Sequence, residues 1–252
     1  MHFGRASIYT TYYLRNVYRN DRLVNMKCRL CDWLCGPELS SGKFWSVSDA
    51  WEQDQSNEWE LWAADSEGVR ERNACANEVF ATDQALALRM RHEVADKGSI
   101  WAMRLVGWQY EYGQGTERDL AKAERYYYQA QLAGSWMATL QLARLLFEHR
   151  RNEKWVGILE NGVESNFIPA NFWLSWYRYK RNPRSNMAIE VRPLIEEAAK
   201  VGHPGARLIL SRWKTQGKFG IREMKQGFRD FRLLLNDFRA DRLRDREHEF
   251  SS

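Results

Sequence analysis

The sequence has no run of about 18 apolar residues, so no ordinary membrane-spanning helix is expected. Near its start stand Arg5, Arg15 and Arg19 with no apolar stretch of the kind a secretory signal needs. Taken as it stands, the chain is expected in the cytoplasm, or in the periplasm if a preceding signal has been removed. Histidine is sparse: the residues at 2, 92, 149, 203 and 248 form no His-x-x-x-His pair. A Gly-x-Ser-x-Gly elbow, a phosphate loop ending in Gly-Lys-Ser/Thr and a His-Glu-x-x-His helix are all missing. Gly113-Gln114-Gly115 is too short for a nucleotide fingerprint and follows a helix, not a strand. Glu196 and Glu197 are neighbours and so point about 100° apart on a helix. No catalytic residue, cofactor or enzymatic activity is expected.

Cysteine is also scarce, and three of the four fall together as Cys28-x-x-Cys31-x-x-x-Cys35. On a helix this spacing would set three thiols on one face. A zinc site would need a fourth ligand, and Cys75 is far along the chain with no histidine nearby. A redox pair would open a helix after a strand, a context not found here. Reduced buried thiols, a disulfide and a metal site all stay open for these residues, and no metal is assigned. An excess of one charge is missing too: 38 basic residues are interleaved with 33 acidic ones, for a net charge of +5. Without a basic stripe, a zinc-finger spacing or an RNA-binding signature, no nucleic-acid partner is expected.

Aromatic residues, by contrast, are plentiful: twelve Trp and eleven Tyr. With 44% hydrophobic residues the chain can build a core, and those rings that face outward are candidates for recognition. The most informative stretch is Gly98–Gly134. Ala102, Leu105, Val106, Trp108 and Tyr110 recur at helical spacing, and Gly113 and Gly115 supply positive-φ positions that end a helix. Asp119 can cap a second helix, along which Leu120, Ala123, Tyr127 and Ala130 follow on one face. The stretch reads as one helical hairpin.

The hairpin repeats. Starts at Gly98, Gly134, Asn166 and Gly202 are followed four residues later by Ala102, Ala138, Ala170 and Ala206. Nine residues after each start come Gly107, Ala143, Ser175 and Ser211, always small. Upstream, Asp83, Ala87 and Gly98 match Asp119, Ala123 and Gly134, so residues 82–97 read as the second helix of an earlier copy, with Trp62–Ala76 as its first helix in register only. Stacked copies bury faces that a lone hairpin would leave wet.

The Gly98–Gly134 block resembles the Sel-one-like repeat (SLR), a relative of the tetratricopeptide repeat. The matching residues are Ala102, Val106-Gly107, Tyr110, Gly113-x-Gly115, Asp119, Lys122-Ala123, Tyr126-Tyr127 and Ala130-Gln131-x-x-Gly134, with Val106 and Gln131 departing from the pattern. Later copies are degenerate: His149–Asn152 and Lys180–Ser185 replace the Gly-x-Gly turn, and Gly217-Lys218-Phe219-Gly220 is a looser form of it. The resemblance implies an all-α chain, a right-handed α-solenoid of stacked antiparallel hairpins over residues 62–238. It leaves 1–61 as a helical region of unknown role and 239–252 as a charged C-terminal tail, a solvated helical extension or a frayed end.

Several further features bear on the ends of this array. The segment Ala50–Trp62 carries Trp51, Trp59 and Trp62 among many acids and would form an acidic aromatic surface if exposed. Phe172, Trp173, Trp176 and Tyr177 nearly encircle one helix, as in a helix buried on several sides or meeting a partner. Pro193 is a candidate kink in the helix over 188–201. Ile221, Met224, Phe228, Phe231, Leu235 and Phe238 form a stripe suited to a terminal capping helix. For the repeat family, the resemblance implies adaptor and scaffold roles, with a protein partner held on a concave face lined by first helices. In bacteria it also implies immunity proteins that occlude secreted toxin effectors. The interface candidates are Trp101, Arg104, Trp108, Tyr112, Trp136, Trp173, Trp176 and Trp213, with Trp108 and Tyr112 foremost.

Overall fold

The computed structural model describes residues 51–52, 54–150, 152–183 and 185–249. Cys28, Cys31 and Cys35 and most of the 1–61 region, expected to be helical, lie outside the described residues. Among those described there are twelve α-helices and no strand, packed in neighbouring pairs, the all-α arrangement that the repeats predict. The chain divides into two compact units, one spanning 53–174 and the other running from Ser175 onward with Trp51 and Glu52.

The 53–174 unit holds a short helix, α1 (Glu58–Ala64), and three hairpins. These are α2 (Glu67–Val79) with α3 (Gln84–Ala95), α4 (Ile100–Tyr112) with α5 (Leu120–Leu132), and α6 (Trp136–Leu145) with α7 (Lys154–Glu164). A further helix, α8 (Ile168–Arg181), starts in this unit and ends in the next. The second unit continues with α9 (Ser185–Glu190), α10 (Arg192–Val201), α11 (Pro204–Thr215) and α12 (Ile221–Glu249).

One turn joins each hairpin to the next helix, and it is built the same way four times. Gly98, Gly134, Asn166 and Gly202 take φ of 95°, 98°, 56° and 106°. The following N–H then reaches back to a carbonyl five residues earlier: Ser99 to Val94 at 3.1 Å, Ser135 to Ala130 at 2.9 Å, Phe167 to Gly162 at 3.0 Å and His203 to Ala198 at 3.0 Å. This is the Schellman closure of a helix C-terminus, which needs one left-handed residue. Nothing lies within 4 Å of a Cβ added at Gly98, Gly134 or Gly202, so glycine is there for its backbone freedom and not for space. Ser99, Ser135 and His203 then cap the next helix by accepting the N–H of Ala102, Ala138 and Ala206. Those alanines, with Ala170, are fully buried, which accounts for their fixed offset. The small residues five places further on allow close packing. A Cβ on Gly107 would stand 2.8 Å from the Tyr127 ring.

The structure adds to the sequence reading, or departs from it, at several places. The upstream first helix starts at Glu67, after Ser66, and not at Trp62, which belongs to α1. Only Phe80–Thr82 separates α2 from the Asp83 cap, where the α4–α5 turn is longer, so this copy is shorter than the register assumed. At 146–150, with no glycine to take a positive φ, α6 runs on through a π turn, Leu146–Arg150. Pro193 does not kink one helix; it sits in the first turn of α10, where its missing N–H costs nothing, and Val191 parts α9 from α10. In α12, Leu234 and Leu235 are buried, whereas Ile221 is 82% and Phe228 44% exposed. The close crossing is at Gly227, where a Cβ would meet the Thr215 backbone nitrogen at 2.6 Å. The charged segment after 238 continues the helix to Glu249.

Gly115 combines φ of 77° with a virtual Cβ 2.3 Å from the Gln84 carbonyl, so alanine there meets both strain and fixed backbone. Gly98→Ala is expected to cost about 1–2 kcal/mol from the left-handed conformation alone. Gly115→Ala is expected to cost about 3 kcal/mol or more. Denaturant unfolding of the two variants checks the order.

Candidate functional site

The first-helix face of the 53–174 unit is built from the N-terminal halves of α4 and α6, and α1 lies on it. The Ser99 hydroxyl, besides capping α4, donates to Asp65 Oδ2 at 2.6 Å. One repeat further on, the Ser135 hydroxyl caps α6 and donates to Glu58 Oε1 at 2.6 Å. Arg104 Nε donates to the other Glu58 oxygen at 2.5 Å, from a side chain only 9% exposed. Asn57 clamps the turn before α6: its Nδ2 donates to the Gly134 carbonyl at 2.7 Å and its Oδ1 accepts the Trp136 N–H at 3.1 Å. Trp62 meets Trp101 edge-on with ring centroids 4.8 Å apart. Arg70 of α2 holds the carbonyls of Ala63 and Asp65 at the far end of α1.

The eight interface candidates separate into two groups. Trp101 and Trp136 are half-buried on this face, Trp136 against Phe167, and Arg104 is buried beneath Glu58. Tyr112 is half-buried at the other end of α4, where Arg144 hydrogen-bonds its hydroxyl. Trp108, Trp173, Trp176 and Trp213 are buried: Trp108 packs on Phe80 and Tyr112, Trp173 on Phe172, Trp176 on Tyr179 and Trp213 on Tyr179 and Phe219. These four rings present almost no surface to a partner, because the helices that carry them are packed on more than one side. Sequence reasoning missed Asn57, Glu58, Asp65, Ser99 and Ser135. The available signal was the acid-rich Ala50–Trp62 segment together with a hydroxyl one residue after each of two repeat starts.

Two polar clusters sit away from this face. Glu111, 1% exposed, accepts Arg144 Nη2 at 2.9 and 3.1 Å and the Tyr127 hydroxyl at 2.8 Å, tying α4, α5 and α6 together. His92 lies between two tyrosines, its Nε2 3.1 Å from the Tyr110 hydroxyl and its Nδ1 3.1 Å from that of Tyr126. Desolvation by burial holds the His92 imidazole below its ordinary value; Asp96 opposes this, and Lys122 and Arg125 add to it.

In the second unit, Glu52 Oε1 stands 3.0 Å from His203 Nε2, both side chains buried, with the Trp51 ring 5.0 Å from the imidazole. His203 Nδ1 accepts the Ala206 N–H, so Nε2 is the ring nitrogen that donates to Glu52. Arg192 forks onto both Glu223 oxygens at 2.8 and 3.0 Å and stacks over Phe219, joining α10 to α12. Among the described residues, no three His, Cys, Asp or Glu side chains gather as a metal site would require, and no helix is long and apolar enough to cross a membrane.

No family model and no curated protein matches the sequence. In fold, the chain is similar to a Sel1 repeat protein from Oxalobacter formigenes, with a TM-score of 0.51 and 13% identity over 64% of this chain and 71% of that one. It is similar also to a protective antigen of uropathogenic Escherichia coli strains displaying an SLR fold, with a TM-score of 0.52 and 14% identity. That second match spans 66% of this chain but 38% of the other.

Two outcomes follow from the polar clusters. Arg144→Met leaves the Glu111 carboxylate buried without its cation and is expected to cost about 3 kcal/mol by chemical denaturation. Adding Glu111→Gln is expected to restore part of that loss. For His92, the unfolded chain takes a proton more readily than the folded one below about pH 6.5. Its stabilising contribution is intact above that pH and lost as pH falls through the lower folded value. The melting temperature of the wild type is therefore expected to drop more steeply from about pH 7.5 to about pH 5 than that of His92→Gln.

Proposed function

We propose that this chain, which has the SLR fold, is a non-enzymatic module that binds another protein on the first-helix face of its repeats. One observation carries this reading: in the 53–174 unit that face already holds a piece of polypeptide through side-chain contacts. Ser99, Arg104 and Ser135 take its carboxylates, and the turn before α6 takes its asparagine amide. The half-buried rings of Trp101 and Trp136 flank these groups and offer the amphipathic contact area that protein interfaces favour. Charge supports a protein rather than a nucleic acid, since acids and bases are mixed along the chain. The SLR likeness supports a repeat scaffold.

Affinity capture with the tagged full chain from its native cell, followed by titration of the purified partner, tests the proposal. Trp101→Ala and Trp136→Ala are expected to weaken binding about tenfold or more. Tyr128→Ala, exposed on the second-helix side, is expected to leave it unchanged. Undiminished binding by both tryptophan variants would place the interface elsewhere. Turnover by the isolated chain with no partner recovered would overturn the module altogether. If the partner proves to be a secreted toxin effector whose activity is abolished in the complex, the role is that of an immunity protein; retained partner activity makes it an adaptor.

A further inference from the structure

We infer that Asn57–Asp65 is a tethered occupant of the first-helix face, displaced when a partner binds, and that the partner docks through an acidic, tryptophan-bearing segment of the same chemistry. This deepens the interaction reading above and relies on it for the existence of a partner.

The contacts of α1 follow the repeat. Asp65 takes the cap hydroxyl of α4 and Glu58 the cap hydroxyl of α6, positions equivalent in successive copies. The seven-residue span of α1 advances about 10 Å, close to the spacing of neighbouring packed helices. A segment that meets one cap with one acid thus meets the next cap with the other. The second unit supplies an independent instance: Glu52 meets His203, the cap residue at the corresponding position of α11.

The grip is polar apart from the Trp62–Trp101 contact. No residue of α1 is buried, and Trp59 is 66% exposed, so the helix adds little to the core. Its hydrogen bonds and the Glu58–Arg104 ion pair are set against the entropy of ordering a short helix. Elements held in this way open locally while the rest of the fold stays intact. Arg70 anchors the C-terminal end of α1, so opening swings the N-terminal end away from Arg104, Ser135 and the Gly134 and Trp136 peptide groups. The groups that lose their α1 contacts are the Arg104 guanidinium, the Ser135 hydroxyl, and the Gly134 carbonyl with the Trp136 N–H. That set recognises a carboxylate next to a side-chain amide, with Trp101 alongside for an aromatic ring.

The test uses the full chain and a fluorescent synthetic peptide covering residues 54–66 as the probe. Asn57→Ala/Glu58→Ala, which loosens the tethered segment, is expected to bind the peptide at least about tenfold more tightly than the wild type, because the competent face is no longer occupied. Adding Arg104→Ala is expected to abolish the gain. Equal binding by wild type and double variant would overturn the inference. Hydrogen exchange on the unmodified chain decides independently of how the variants fold. The amides of Leu61–Ala64 are expected to exchange while those of α4 remain protected, and exchange of both in one step would make α1 an integral part of the fold. A captured partner that binds wild type and double variant equally sinks the tether alone. Capture of no partner by either sinks the module reading, and the peptide titration reports separately.

Discussion

Four times among the described residues, a helical pair ends on a residue whose backbone most amino acids avoid. The left-handed conformation at Gly98, Gly134, Asn166 and Gly202 folds the helix C-terminus back on its own carbonyls, and the next residue is thereby placed to cap the following helix. The buried alanine three residues later can then sit at the closest approach between helices. Cap, alanine and small residue are spaced as they are because that turn leaves one exit direction. Asn166 shows that conformation, not glycine itself, is what the turn needs, asparagine being the side chain that tolerates it best after glycine.

Because the turn fixes the position of the cap, the cap side chain is open to a second task. Serine at 99 and 135 satisfies one helix N–H through its oxygen and still has a proton to donate outward. Histidine at 203 does the same with two ring nitrogens. Phenylalanine at 167 cannot, and Trp136 packs against it instead. A structural device thus also supplies hydrogen-bond donors to other segments, and carboxylates from Glu52, Glu58 and Asp65 are what meet them.

How much of this could be read from the sequence depended on the range of the interaction. Gly98, Ala102, Asp119 and their echoes act within one or two turns of chain, so their spacing was visible and the hairpins followed. The buried rings of α8 were also visible as a helix apolar on all sides, though not which sides were covered. Glu58 with Ser135, 77 residues apart, leaves no periodic trace. Nor do Glu111 with Arg144 or Glu52 with His203, since a single acid and a single base have many possible mates. Trp108 and Trp213 looked like recognition residues because tryptophan serves cores and interfaces alike. Only packing separates the two uses, and here it assigns these rings to the core.

The Glu111–Arg144 pair also alters how the repeats share their fate. In an array held by apolar stacking alone, each hairpin is nearly autonomous, and the ends can peel away one unit at a time. A buried carboxylate on α4 that depends on a guanidinium from α6 does not allow that, since loosening the later hairpin strands a charge inside the earlier one. The two hairpins are thereby bound into a single cooperative block, and a force or ligand acting on one is felt by the other.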